Sequence, residues 1–171
     1  MEFLNLAKQR YSVRDYEKRE VEEEKLQRIL EAGRIAPTGA NRQPQRFIVV
    51  RSEEGLSKLK GSANVYGAPL AIIVCADHSA TWKRSYDRKD IADIDASIVT
   101  DHMMLEATEL GIGSVWICHF NPEKLRINFN IPENIEPVNI LALGYPAGEA
   151  ASPDRHDTLR VPLDQLVLGE Y

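Results

Sequence analysis

The sequence predicts a single layered domain of the α/β or α+β class, with helices covering a central sheet. Short apolar runs have the length of buried strands, and segments with helical periodicity alternate with them. No repeat and no Gly/Ser-rich linker divides the 171 residues. One domain, residues 1–171, is therefore expected, and a chain of this length can bury its own core.

Apolar residues at helical spacing predict four helices. They are expected over residues 2–10, from Glu22 onward, over 54–60 and over about 92–110. Acidic residues in the first turn of the second helix suit the helix dipole. In the first helix the side chains expected to face inward are Phe3, Leu4 and Leu6. In the longest helix they are Ile94, Ile98, Met104 (or Met103) and Leu105, with Leu110 as a further candidate.

Four apolar runs rich in β-branched residues are predicted to be strands. They are Phe47–Val50, Leu70–Cys75, Ser114–Cys118 and Val138–Leu143. The C-terminal tail, Ala150–Tyr171, has no strong period before Leu163, which is compatible with wrapping onto a partner.

Composition argues against several classes of protein. The chain has 21 basic and 26 acidic residues, a net charge of −5, so nucleic acid is not expected as the main partner. The longest apolar run, Ala68–Ala76, is about half of the roughly 20 residues that cross a bilayer. The N-terminus has no apolar leader pattern, so a cytoplasmic protein without a membrane partner is expected. Cys75 and Cys118 lie in apolar runs and are expected to be buried, reduced thiols.

Three segments are candidates for chemistry. In Arg10–Arg14, two guanidiniums and a hydroxyl can converge on one small anion; the alternative is a solvated pair of arginines at a turn. Ala36–Pro44 is a loop of small residues and two amides that can lie against a planar heterocycle, or simply connect a helix to a strand. Gly111–His119 is a glycine-rich turn into a strand, where backbone can approach a ligand, but it lacks GxGxxG spacing.

Other constellations fail on spacing. The four histidines form no metal-binding pattern, so no metal is expected. Cys118 and His119 are neighbours on a predicted strand and would point to opposite faces, which argues against a Cys–His dyad. Asp101 and His102, on the longest helix, are candidates for burial. Four aspartates fit a solvated helix start better than a calcium loop, namely Asp87, Asp90, Asp93 and Asp95.

Taken in order, the three candidate segments resemble the FMN-dependent nitroreductase family, in its short, single-domain form. Arg10–Arg14 is similar to the family's Arg-x-Ser-x-Arg/Lys motif. Pro37–Pro44 resembles its Pro-Ser-x-x-Asn-x-Gln-Pro loop, with Thr38 in place of the usual Ser. Gly111–Ile117 resembles Gly-Leu-Gly-Ser/Thr-x-Trp-Ile. Further landmarks are similar at Leu141–Pro146 and Arg160–Leu163, so the resemblance spans essentially the whole chain.

The resemblance implies an α+β fold with a central, mostly antiparallel sheet covered by helices. It also implies a homodimer with exchanged tails and FMN at the interface. Arg10 and Ser12 would hold the FMN phosphate, helped by Arg160, and Arg14 would face the N1/C2=O edge of the flavin. The full set implied to contact FMN is Arg10, Tyr11, Ser12, Arg14, Pro37, Thr38, Gly39, Asn41, Gln43, Trp116, Ile117, Cys118, His119 and Arg160.

Two further features of the site follow from the resemblance. The loop from Pro37 to Asn41 would come from the other subunit. The end of the strand at Cys118 would bring a backbone N–H near flavin N5, so that the peptide group of this residue matters and its sulfur does not.

The implied activity is hydride transfer from NADH or NADPH to flavin N5, and then to a nitroaromatic, a quinone or a similar acceptor, in a ping-pong scheme. Because the cofactor carries the redox chemistry, no catalytic side chain is required. Two alternatives stay open. One is specialised flavin chemistry such as flavin cleavage or reductive dehalogenation, and the other is a non-catalytic protein that binds or senses FMN.

Overall fold

The computed structural model describes residues 2–171. The strands are β1 (Gln45–Val50), β2 (Leu70–Asp77), β3 (Gly113–Ile117) and β4 (Ile135–Gly144). The helices are α1 (Phe3–Gln9), α2 (Glu23–Ile35), α3 (Glu53–Lys60), α4 (Ala92–Glu109), α5 (Pro122–Asn128), α6 (Arg155–Leu159) and α7 (Leu163–Leu166), with a 3-10 turn at Gly39–Asn41. Within the described residues, no helix has both the length and the apolar composition needed to cross a membrane.

The four strands form one sheet in the order β1-β2-β4-β3, and every neighbouring pair is antiparallel. The predicted α+β class with a helix-covered, antiparallel sheet is confirmed. All four predicted strands and all four predicted helices (α1 to α4) are present, with ends that differ by a few residues. Three short helices, α5, α6 and α7, were not predicted as helices, because segments of four to seven residues show little periodicity.

The strand β2 is buried along its whole length and separates two apolar layers. Its alternate side chains point to opposite faces of the sheet. On one face they pack with α2 and α4, and on the other with residues of α3 and α5. The first layer contains Leu70, Ile72, Val74, Ile29 and Val99, and the second contains Ile73, Cys75, Leu59, Leu125 and Ile140. A strand covered on both sides explains the continuous apolar run in the sequence.

The prediction of inward-facing residues was wrong for α1 and only partly correct for α4. In α1, Phe3 and Leu4 are each 64% exposed, and Leu6 is only half-buried. In α4 and just after it, Met103 and Met104 are buried as predicted and Ile98 and Leu110 pack against the core, but Ile94 is exposed and Leu105 is half-buried. The face of α4 that packs inward is Ala92, Asp95, Ala96, Val99, Thr100, Met103, Met104 and Ala107. Because α4 has apolar residues around most of its circumference, periodicity alone did not select the buried face.

Three predictions about single residues also need correction. Cys75 is buried as expected, but Cys118 lies beyond the end of β3 and is exposed. Asp95 is 1% exposed and is therefore not part of a solvated helix start. Of the two candidates for burial in α4, Asp101 is exposed, and His102 is half-buried with Nδ1 3.0 Å from the Ile98 carbonyl oxygen.

Candidate functional site

A cluster of three arginines, Arg10, Arg155 and Arg160, joins the N-terminal segment to the C-terminal tail. Arg155, in α6, donates from Nη2 to the Arg10 carbonyl at 2.5 Å and from Nη1 to the Lys8 carbonyl at 3.1 Å. Burial, and next the charges of Arg155 and Arg160, lower the pKa of the Arg10 guanidinium, whereas Asp101 raises it. Within residues 2–171 none of the three arginines forms an ion pair. The cluster therefore concentrates positive charge with little compensation, which suits an anion.

His156 helps to position the tail beside α1. Its Nδ1 lies 3.3 Å from Nε of Arg160, and its Nε2 lies 3.2 Å from the Lys8 carbonyl oxygen. A guanidinium can only donate, so Nδ1 is the acceptor and Nε2 carries the proton donated to Lys8. The sequence prediction included Arg160 but missed Arg155 and His156, because no local pattern links them to the N-terminal segment.

The segment that follows Arg10 runs along the outer edge of β3. Ser12 forms a parallel bridge with Ser114, and the Val13 N–H donates to the Ser114 carbonyl at 2.9 Å. Gly113 permits this approach, since a Cβ there would lie 2.7 Å from Cγ2 of Val13 and 2.9 Å from Cγ of Pro146. The Oγ of Ser114 is buried and has no hydrogen-bond partner among the described residues. The glycine-serine pair of the predicted motif thus places Ser12 and Arg14 against the sheet.

Beyond Ser114 the outer edge of β3 is open. The Ser114 carbonyl points outward to Val13, so strand alternation points the backbone groups of Trp116 outward as well, and Cys118 follows just beyond the end of the strand. Open-edge N–H and C=O groups can pair with a ligand as readily as with another strand. Cys118 and His119 are both exposed, so the expectation that they occupy opposite faces of a strand was wrong. His119 borders a cavity of about 640 Å³ that continues to Asn64 and Phe120.

The loop before β2 also reaches this region and was missed in the sequence. The Arg14 guanidinium lies over the Tyr66 ring, 5.7 Å from its centroid. Asn64 accepts a hydrogen bond from the Tyr66 N–H at 2.9 Å, and Tyr66 has a left-handed φ of 55°. The asparagine side chain therefore maintains the turn that presents Tyr66 to Arg14.

The loop from Pro37 to Gln43 is held by a buried acid. The Gly39 N–H donates to Oδ1 of Asp95 at 2.8 Å, while Oδ2 of Asp95 is buried without a partner in the described chain. Burial raises the pKa of the Asp95 carboxyl, although the Gly39 N–H opposes that shift and the nearby Asp90 adds to it. The Gln43 N–H donates to Oγ1 of Thr38 at 3.0 Å.

Three non-glycine residues of this loop have strained backbone conformations. Ala40, Asn41 and Gln43 have φ values of 48°, 53° and 51°, a left-handed region that costs non-glycine residues energy. Asparagine tolerates this region better than alanine or glutamine. The hydrogen bonds from Gly39 to Asp95 and from Gln43 to Thr38 therefore stabilise this left-handed backbone. In the resulting loop the Asn41 side chain is exposed.

Within one chain, this loop and the arginine segment do not meet. Gln45 of β1 pairs with Ala76 of β2, which in turn pairs with Glu136 near the start of β4. Ser114 of β3 pairs with Leu143, at the other end of β4. Three strand spacings and a seven-residue offset along β4 put Gln45 and Ser114 about 28 Å apart across the sheet. The structure thus places Arg10, Ser12 and Arg14 beside the start of β3, with Arg160 near Arg10, and it places Pro37–Gln43 at the opposite corner of the sheet.

Known proteins resemble this chain in sequence and in structure. A family profile described as "Nitroreductase family" matches residues 7–64 and 56–145. A Methanothermobacter thermautotrophicus protein named "Putative NADH dehydrogenase/NAD(P)H nitroreductase" is 36% identical, covering 96% of this chain and 88% of its own. The crystal structure of a nitroreductase family protein from Clostridium difficile 630 has a TM-score of 0.97 and 56% identity, covering 100% of this chain and 99% of its own.

A further solved structure contains a cofactor. A Desulfovibrio desulfuricans protein in complex with FMN has a TM-score of 0.78 and 28% identity, covering 100% of this chain and 98% of its own. The profile covers more than half of the chain, and the similarities in sequence and fold extend over nearly all of it. This chain therefore belongs to the nitroreductase family.

Proposed function

We propose that this protein is a homodimeric FMN-dependent oxidoreductase that takes hydride from NADH or NADPH and reduces a nitroaromatic, quinone or similar acceptor. The observation that carries the proposal is the arginine cluster beside the open edge of β3. Support also comes from the relative named as an NAD(P)H nitroreductase and from the similar structure in complex with FMN.

The residues of the cluster fit the phosphate of FMN. Arg10 and Arg160 supply charge, Ser12 supplies a hydroxyl, and Arg155 fixes the backbone of Arg10 through its 2.5 Å bond. The lowered pKa of Arg10, caused first by burial and then by neighbouring cations, is the electrostatic cost that a bound dianion would relieve. The buried, unpaired Ser114 hydroxyl is a further polar group at this end of β3.

Bound FMN supplies the two-electron carrier between the nicotinamide and the acceptor. The protein's own groups set its surroundings. Arg14 places a fixed positive charge where the flavin edge would gain negative charge, which favours reduction. The backbone groups of Trp116, and those of Cys118 just beyond the strand, would offer hydrogen bonds to the flavin, and the Tyr66 ring lies against the Arg14 guanidinium. No side chain of the site is assigned as a proton donor.

The dimer is proposed because one chain holds only part of the site. Gln45, which follows the Pro37–Gln43 loop, lies about 28 Å from Ser114 within one chain, so we propose that a second copy brings Asn41 to the same flavin. The tail also leaves many apolar side chains exposed, as do α1 and the end of α2. They are Phe3, Leu4, Ile35, Leu159, Val161, Leu163, Leu166, Val167 and Leu168. A groove of about 460 Å³ between α1, α2 and α4 is lined by Phe3, Ala32, Ile35 and Leu105 and can receive such a tail from the partner.

An anaerobic titration of the purified yellow protein with NADH or NADPH, followed by visible absorption, tests this function. We expect flavin bleaching and rapid reoxidation by a quinone or a nitroaromatic compound. A flavin that neither donor reduces would instead indicate an FMN-binding or sensing protein. Bleaching without acceptor turnover would favour specialised flavin chemistry, and a colourless monomer that refuses FMN would overturn the proposal.

A further inference from the structure

The segment between β2 and α4 forms a compact hairpin with a basic tip. Lys83 and Asp90 form an antiparallel bridge, and the Arg84 N–H donates to the Lys89 carbonyl at 3.0 Å. The Arg88 N–H donates back to the Arg84 carbonyl at 2.8 Å, which closes the turn. At the base, Nδ1 of His78 lies 3.1 Å from Oδ2 of Asp90. We name residues 83–90 the basic hairpin.

The stem of the basic hairpin packs against the Gly39 loop. A Cβ on Gly39 would lie 2.3 Å from Cδ1 of Ile91 and 3.3 Å from Cβ of Trp82, the two residues that flank the hairpin. Tyr86 follows Trp82 by four residues, so the tip extends at most about 14 Å from this contact. In the proposed dimer the Gly39 loop faces the partner's flavin. The hairpin tip would then lie within about 14 Å of a loop that contacts this flavin, and this proximity relates the hairpin to the electron donor.

Two cations of the hairpin have no acidic partner, although the chain as a whole is acidic. Arg84 is paired with Asp87 at 2.8 Å, and Lys83 lies 3.9 Å from Asp90. Arg88 and Lys89 are exposed and form no ion pair with any residue in 2–171. Asp87 pairs with Arg84 and also feels the Lys89 charge, but the hairpin has four basic and only two acidic residues, so it keeps an excess of positive charge.

The same tip presents an uncovered aromatic ring. Tyr86 is 96% exposed and lies in the turn between Arg84 and Arg88. An aromatic ring can stack on a nucleobase, and cations beside it can pair with phosphate oxygens. A large exposed aromatic flanked by unpaired cations is therefore suited to an adenosine phosphate.

We propose that the basic hairpin binds the adenosine phosphate part of the nicotinamide dinucleotide, with Tyr86 stacked on adenine and Arg88 and Lys89 paired with its phosphates. The inference rests on the proposed function and adds the residues that bind the electron donor. Each hairpin serves the flavin contacted by its own Gly39 loop. The nicotinamide is left free to stack on the ring, while the hairpin holds the distant end of the donor.

Equilibrium binding tests this directly. NAD⁺ and NADP⁺ are titrated calorimetrically into the FMN-loaded protein, its Arg88→Ala/Lys89→Ala variant and a control, Lys18→Ala/Lys58→Ala, that removes the same charge elsewhere. We expect about tenfold weaker binding for the hairpin variant and no change for the control. Tyr86→Ala should weaken binding about fivefold or more, while Tyr86→Phe retains the ring and should bind normally. Unchanged binding in both the double variant and Tyr86→Ala would overturn the proposal.

A kinetic comparison separates the hairpin from the flavin site. With NADH or NADPH, the Arg88→Ala/Lys89→Ala variant should show a KM raised about tenfold, unchanged kcat and a weaker dependence on salt. With 1-benzyl-1,4-dihydronicotinamide, which lacks adenine and phosphate, its KM should equal that of the unmodified protein. A larger loss for NADPH than for NADH assigns the contact to the 2′-phosphate, and equal losses assign it to the pyrophosphate.

Equal losses with the benzyl donor would instead mean that the substitutions disturb the flavin site, and would refute the inference. Flavin content and circular dichroism of each variant check that the fold is retained. If no donor reduces the flavin, the proposed function fails, whereas the NADP⁺ titration still decides whether the hairpin binds dinucleotide. An acidic protein partner as the true ligand would show as unchanged dinucleotide binding, which also overturns the proposal.

Discussion

Replacing Asp95 should loosen the Gly39 loop in a way that depends on which hydrogen-bonding groups remain. In Asp95→Ala, the Gly39 N–H loses its 2.8 Å acceptor, and a donor left unpaired in a part-buried position costs about 1–3 kcal/mol. For a chain of this size that corresponds to a melting temperature lowered by about 3–9 °C. Asp95→Asn keeps an acceptor oxygen for the Gly39 N–H, and its amide nitrogen replaces an oxygen that already lacks a partner, so its loss should be smaller than that of Asp95→Ala.

The two variants should also differ in pH dependence. Burial raises the pKa of Asp95 in the folded protein above its unfolded value, so the folded state binds the proton more tightly. Stability therefore falls as the pH rises from the unfolded pKa through the folded one, and the penalty is complete above that range. The amide introduced by Asp95→Asn cannot titrate. The free energy of unfolding of Asp95→Asn should therefore improve relative to the unmodified protein as the pH rises from about 4 toward 7.

Urea unfolding of the FMN-free protein at several pH values measures both effects, and retention of FMN on gel filtration measures the effect on the loop. We expect Asp95→Ala to retain less FMN than Asp95→Asn. An Asp95→Ala variant that matches Asp95→Asn in stability and in FMN retention would refute the assignment of Asp95 as the residue that positions the loop. A pH-independent difference between Asp95→Asn and the unmodified protein would refute its raised pKa.

Three further outcomes are expected. Gly113→Ala should lose about 1–3 kcal/mol of unfolding free energy in urea, because the added Cβ would lie 2.7 Å from Val13 and 2.9 Å from Pro146; full stability would show that the two segments separate without cost. Tyr16→Phe should lose about 1–3 kcal/mol in the same assay, since its buried hydroxyl donates to the Val13 carbonyl at 2.8 Å; unchanged stability would show that this bond is dispensable. Leu163→Asp should shift the proposed dimer toward monomer in sedimentation, because it would bury a charge at the interface, whereas Leu163→Met should not. An intact dimer with Leu163→Asp would exclude this part of the tail from the interface.

The sequence motifs lie at residues that the structure brings into contact, whereas the helix patterns predicted the packing only in part. Ser12 is about a hundred positions away from the neighbouring Gly113 and Ser114, yet Ser12 and Ser114 form a bridge at the start of β3. Their motifs could be recognised because a close approach of two backbones restricts which residues fit, as the 2.7 Å contact at Gly113 shows. In α4, by contrast, many residues are apolar, so several faces satisfied the same pattern, and the prediction was correct for Met103 and Met104 but wrong for Ile94.

The sequence by itself predicted four strands, four of the helices, a layered domain of the α/β or α+β class and the segments of the candidate site, because periods of 2.0 and 3.6 residues and rigid glycine or proline positions are local properties. Only the tertiary structure decided that Arg155 fastens the tail to Arg10, that the acid of α4 binds Gly39, and that the Gly39 loop lies at the corner of the sheet opposite Ser114. These contacts join residues far apart in sequence, and the antiparallel order β1-β2-β4-β3 sets their distances. Strand order and packing faces arise from the burial of the whole chain at once, so no local pattern encodes them.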